Sequence, residues 1–111
     1  MTPASIKAKG RNAENLVVEF LRRFWPTVER RRQAGVLDRG DISGVPDTVI
    51  EVKSGAKIDL PGWLAEAERE RQNDGAAWSV VVIKPRGTTD ASRFYAVMTF
   101  EEWCRLRTEA M

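Results

Sequence analysis

Thr48-Val49-Ile50-Glu51-Val52-Lys53 is the stretch on which the reading of this chain turns. Its β-branched residues predict a strand over 48–53, closed by Ser54-Gly55. Side chains alternate across a strand, so Glu51 and Lys53 share a face. Upstream, Arg39-Gly40-Asp41-Ile42-Ser43-Gly44 sets a second acid ten residues before Glu51. Asp41–Val45 reads as short and extended, and Gly44-Val45-Pro46-Asp47 as a turn, which makes a hairpin of the two segments. With a three-residue loop of Val45, Pro46 and Asp47, Asp41 stands opposite Glu51. With a two-residue loop it stands opposite Ile50, still beside Glu51. Directly opposed residues in an antiparallel ladder have Cβ atoms about 5 Å apart. Two carboxylates that close repel unless a cation lies between them. Mg²⁺ is hard and takes oxygen ligands, so it suits Asp41 and Glu51 with the backbone carbonyl of Val52 as a third ligand; Mn²⁺ would substitute. Lys53 can orient or help deprotonate an attacking water and stabilise charge developing on a phosphate.

Around this hairpin the pattern is that of one small α/β domain spanning 1–111, a small sheet flanked by helices in the order α-β-β-β-α-β-β-α. Residues 1–10 read as polar and flexible. Leu16, Val17, Phe20, Leu21 and Phe24 recur at helical spacing, with Asn12 as cap and Pro26 as the stop after Trp25. Glu14 then falls in the first turn, beside the apolar stripe, from which it can reach the site to hold water or a second ion. Thr27–Gln33 reads as a weakly alternating strand and Ala34–Gly40 as a loop. Asp59 caps a second helix over Leu60–Asn73, ended by Asn73-Asp74-Gly75. Trp78–Ile83 and Phe94–Met98 read as strands on either side of a polar loop. Thr99-Phe100-Glu101-Glu102 is a capping box for the last helix, with Met98 and Trp103 at the staple positions. The four tryptophans, Trp25, Trp63, Trp78 and Trp103, are assigned mainly to the core, with Trp63 also a candidate for a dimer contact. Cys104 is assigned to packing.

Composition removes several kinds of chemistry. The 111 residues contain no histidine, which excludes imidazole as base, shuttle or ligand. The lone Cys104 allows neither an intrachain disulfide nor a zinc cluster and points to a reducing, cytoplasmic setting. No apolar run suits a membrane span, and the N-terminus lacks a signal-peptide core. Net charge is +2, yet Lys7, Lys9, Arg11, Arg22, Arg23, Arg30, Arg31, Arg32 and Arg39 make the first forty residues basic against Glu14, Glu19, Glu29 and Asp38. That imbalance fits a polyanionic partner, and equally a solvated charged surface.

Each candidate also has a plainer reading. Glu51 and Lys53 can be an exposed ion pair, Asp41 a turn residue after Gly40, and Glu14 an acid favoured by the helix dipole. Asp47 after Pro46 fits turn chemistry, although the pair invites a catalytic reading. Arg30, Arg31 and Arg32 can be charges that protect an edge strand. Gln72 can be an accessory to the site or a solvated helix position. The weight lies in the ordered recurrence of all four parts, Glu14, Asp41, Glu51 and Lys53.

Lys9-Gly10-Arg11-Asn12-Ala13-Glu14, Arg39-Gly40-Asp41-Ile42 and Glu51-Val52-Lys53 together resemble the PD-(D/E)xK nucleases, among them the small Holliday junction resolvases of archaea and phages. The resemblance spans about residues 7–84. Gly40 stands where the motif name has proline, while Pro46-Asp47 carries the letters closer to Glu51; Asp41 is the preferred ligand. The resemblance implies a restriction-endonuclease-like fold with a small mixed central sheet and Mg²⁺-dependent cutting of branched DNA by a homodimer. Asp41 and Glu51 would be metal ligands, Lys53 the catalytic lysine and Glu14 the helix-one acid. Lys7, Lys9, Gly10, Arg11, Arg30, Arg31, Arg32, Arg39 and Lys57 would grip DNA phosphates. Paired cuts at a four-way junction suit a two-fold dimer. The same residues would serve for flaps, forks or duplex DNA, and a non-catalytic DNA-binding module is the reading from another class.

Overall fold

The computed structural model describes residues 2–31, 37–55 and 57–109. Helix α1 (Pro3–Leu21) is followed by β1 (Glu29–Arg30), β2 (Ile42–Ser43) and β3 (Thr48–Ser54). Helix α2 (Leu60–Asp74) leads to β4 (Trp78–Lys84), a 3₁₀ turn (Ala91–Arg93), β5 (Tyr95–Val97) and helix α3 (Phe100–Glu109). One sheet carries the order β1-β2-β3-β4-β5. Neighbours are antiparallel except β3 and β4, which run parallel because α2 crosses between them. Among the described residues no helix is long and apolar enough to cross a membrane.

The period-two pattern of β3 and β4 divides the apolar residues between two layers. On one face, Val17 and Val18 of α1 pack with Val28, Ile42 and Ile50, joined by Val52, Val80 and Val82. On the other, Ala67 of α2 packs with Val81 and Ile83, joined by Trp63, Leu64 and Val97. Glu51 and Lys53 belong to the α2 face by this alternation.

Helix α1 begins earlier than the Asn12 cap, so residues 3–10 are helical rather than loose. Thr2 is the cap: its Oγ1 accepts from the Ser5 N–H at 3.2 Å, and Pro3 occupies the first helical position, where a missing N–H costs nothing. Glu14 therefore sits in the middle of the helix, not in its first turn. The helix closes at Leu21, before Pro26, with Arg22 and Trp25 N–H groups bonded to Val18 and Leu21 carbonyls. Gly10 lies inside the helix, and a Cβ there would meet nothing within 4 Å. Gly10→Ala is therefore expected to stabilise the fold by about 0.5–1 kcal/mol, read by urea unfolding. If DNA needs close approach at Gly10, the same variant will lose cutting despite its stability.

Two further expectations change. The tryptophans are not the core: Trp63 and Trp78 are half-buried, and Trp103 is 50% exposed, stacked on Phe100. The buried core is built of valine, isoleucine and alanine, which fit the narrow space between a helix and a pleated sheet. The capping box of α3 is half realised. Thr99 Oγ1 accepts from Glu102 N–H at 3.2 Å, but the buried Glu102 carboxylate turns away to accept from the backbone N–H of Ser79. That N–H lies where β5 no longer reaches β4, so the carboxylate completes the ladder instead of the cap.

Candidate functional site

The hairpin adopts the three-residue register. Ile42 pairs with Ile50, the register of a three-residue loop, and Asp41 N–H also donates to Ile50 C=O at 3.0 Å, which keeps Asp41 beside Glu51. The turn that does this uses positive φ at Gly44 and Asp47. Asp41 Oδ2 accepts from the Val52 N–H at 2.8 Å, replacing a ladder bond where β2 has ended. In a strand the carbonyl of a residue leaves on the same edge as its N–H, so Val52 C=O is directed to the Asp41 side. Glu51 is 5% exposed, and its Oε2 has no hydrogen-bond partner among the described residues.

Lys53 projects beside Glu51, with Nζ 3.5 Å from Glu51 Oε1. Its nearest partner is one that sequence reasoning missed: Glu66 of α2, both of whose carboxylate oxygens lie 3.0 Å away. Trp63 flanks the ammonium at 6.0 Å from the ring centroid. Glu70, one turn beyond Glu66, is buried, and Asp38 reaches the same place from the loop before Gly40. Asp38, Glu66 and Glu70 each offer an oxygen, all within 4.8 Å of one another. Thus Glu51, Glu66 and Asp41 surround Lys53, and Glu70 and Asp38 extend the same acidic cluster from Glu51 and Glu66. The available signal was the Glu66–Glu70 pair at i, i+4, one step around α2 from the apolar Trp63–Ala67 edge.

Burial shapes the protonation of this cluster. Desolvation, then the facing Glu70 carboxyl and the Asp41 charge, push Glu51 up to about 11. Desolvation also raises Glu70 to about 7, relieved in part by the neighbouring Glu51 carboxyl. Asp41 is raised by desolvation, against the pull of the Val52 N–H. Burial alone would lower Lys53, but Glu66, Glu51 and Asp41 outweigh it and raise it. Lys53 therefore stays an ammonium. It can orient water and stabilise negative charge; the expectation that it helps deprotonate water does not suit it.

The folded metal-free chain consequently holds protons that the unfolded chain releases above the ordinary glutamate value of 4.5. Its stability is expected to be greatest near that pH and to fall as pH rises, through about 7 for Glu70 and onward for Glu51. Glu68, lowered by Arg71, acts the other way but is largely solvated. Thermal melts in EDTA should drop by about 5 °C or more between pH 5 and pH 8; a flat or rising profile contradicts the arrangement.

A divalent cation fits these residues on two grounds. Asp41 and Glu51 set two acidic side chains next to each other, and a buried oxygen of Glu51 has no hydrogen-bond partner among the described residues. Glu14 approaches from α1: its carboxyl is raised by desolvation and by Asp41, and Arg30 Nε lies 3.9 Å away. Asp47 is elsewhere, at the opposite end of β3. Its backbone carbonyl and Oδ1 accept from Ala77 N–H, and the carbonyl also from Trp78 N–H, so it ties the turn to β4. Gln72 bonds Glu68 on the solvated side of α2.

The basic residues are dispersed. Lys7 and Arg11 are exposed on α1, while Lys57 is exposed before α2. Lys9 lines a cleft of about 450 Å³ with Lys84 and Arg86, beside the ends of β3 and β4 on the α1 face, away from the carboxylates. Gly10 lies within α1. Arg31 is half-buried and Arg39 exposed, and their guanidinium nitrogens lie 3.8 and 3.9 Å from Asp74 of α2. Arg32 lies outside the described residues. No family model, characterised protein or solved structure matches this chain.

Proposed function

We propose that this chain is a divalent-cation-dependent endodeoxyribonuclease of the PD-(D/E)xK type, cutting branched DNA, a four-way junction first of all, as a homodimer in the cytoplasm. The observation that carries the reading is the placement of the Asp41 carboxylate beside the buried Glu51 at the β2–β3 hairpin, with the Lys53 ammonium next to Glu51. The order α1-β1-β2-β3-α2-β4, antiparallel first and parallel after the crossover, supports the restriction-endonuclease-like assignment.

Asp41 and Glu51, with Val52 C=O, would hold Mg²⁺ or Mn²⁺. Bound there, the ion would supply Lewis-acid polarisation of a phosphoryl oxygen. Asp41 is oriented by the Val52 N–H, and Glu51 by its burial between sheet and α2. Lys53, kept protonated by its acidic neighbours, would place the attacking water and stabilise charge on the phosphate. Glu14 would support the site from α1, with Arg30 and the exposed α1 lysines on the phosphate backbone. The test is cleavage of a labelled four-way junction in Mg²⁺, with flaps, forks and linear duplex as competitors. Preference for one of the latter shifts the substrate and keeps the chemistry. Tight DNA binding with no cutting in Mg²⁺ or Mn²⁺ replaces the reading with that of a binding module.

A further inference from the structure

We infer that Asp38, Glu66 and Glu70 form a second cation seat, adjoining the Asp41–Glu51 pair through Glu51. The inference rests on the proposed function only for that neighbouring pair. Three oxygens within 4.8 Å of one another, drawn from a loop and from successive turns of α2, can close on one ion. The independent observation is Glu70. It is 1% exposed, it points into the cluster, and neither of its carboxylate oxygens has a hydrogen-bond partner among the described residues. A buried carboxylate in that state is costly unless something satisfies it. The orphaned Glu51 Oε2 adds a fourth oxygen beside it.

The surroundings hold the seat in shape. Asp38 Oδ1 is occupied by the Gly40 N–H at 3.0 Å, which leaves its other oxygen to the cluster. Asn73 Nδ2 donates to Asp38 C=O at 2.9 Å and fastens the loop to α2. A seat made of several carboxylates suits Ca²⁺ or Mn²⁺ better than Mg²⁺, which sheds its waters reluctantly. An ion there competes with Lys53 for the Glu66 oxygens. Occupancy therefore releases the ammonium toward Glu51, so Glu66 acts as a positioning residue for Lys53.

Calorimetric titration of the metal-free full chain with Mn²⁺, without DNA, tests this. Wild type should take two ions per chain, Glu66→Gln/Glu70→Gln one, and Asp41→Asn one. Glu70→Gln alone should weaken one of the two sites at least tenfold. In EDTA near pH 8, Glu70→Gln should melt above wild type, which also shows that it folds, because an uncompensated buried charge has been removed. Ca²⁺ should raise the melting temperature of wild type more than that of Glu70→Gln. One Mn²⁺ per wild-type chain, or two in the double variant, overturns the second seat. Two bound ions without cutting of any DNA would defeat the nuclease reading and leave the seat standing. Cutting with a single bound ion would do the reverse.

Discussion

Glu51→Gln is expected to abolish junction cleavage in Mg²⁺, by about a thousandfold or more, while raising the melting temperature of the metal-free protein. The two effects have one cause. Glu51 is almost fully buried beside Asp41 and against Glu70, where its carboxyl is kept protonated, at a cost to folding above its ordinary value, unless a bound cation takes the place of the proton. An amide of the same shape supplies the N–H donors that those carboxylates lack, and with them it loses the charge that holds the ion. A thousandfold loss corresponds to about 4 kcal/mol of transition-state stabilisation, the scale on which a positioned metal acts. Asp41→Asn should lose cutting to the same degree. Lys53→Ala should lose it without regaining activity at high pH, because the lysine works as a cation. Junction cleavage under single-turnover conditions and melting in EDTA are the two measurements. A Glu51→Gln protein that still cuts, or one that melts lower than wild type without metal, removes the physical basis of the site.

Gly40→Ala is expected to destabilise the fold by about 2–4 kcal/mol and to silence the site with it. Gly40 has φ +94°, a conformation that L side chains rarely adopt. A Cβ there would stand 2.8 Å from Val49 Cγ1 and 3.2 Å from Ile50 C=O. Val49 is wholly buried and has nowhere to move. Relief must come from the backbone between Asp38 and Asp41, the segment whose N–H groups bond the Asp38 carboxylate and Ile50 C=O. Urea unfolding reads the stability, and Mn²⁺ binding reads the site. The contrast is Gly10→Ala, where the added methyl meets nothing and stability should rise. The glycine before Asp41, in the place where the motif's name puts proline, is thus explained by a close approach that no side chain allows.

Much of the hairpin was legible before folding. The β-branched run from Thr48 has no helical alternative of equal quality, and a turn of Gly44 to Asp47 allows few registers, so the nearness of Asp41 to Glu51 follows by counting. The Asp59 cap and the Gly75 terminus of α2 are likewise local: a side-chain oxygen accepts from Gly62 N–H, and Gly75 takes the left-handed conformation. The start of α1 was equally written in Thr2-Pro3, but the polar run to Gly10 concealed it. A helix whose first turns face solvent shows no apolar period.

What the amino-acid order determined by itself was whatever depends on neighbours along the chain: strand alternation, turn register, caps, and hence the shared face of Glu51 and Lys53. What only the tertiary structure decided was which charged residues leave water. Glu66, Glu70 and Glu102 look alike in a helical sequence, yet Glu70 is entombed against β3, Glu66 grips Lys53, and Glu102 mends the edge of β4. Asp38 joins them only because the loop is drawn to α2 by Asn73 and Asp74. Periodicity records the average polarity of a face. The fate of a single carboxylate depends on what packs above it, and that is set by residues distant in the chain.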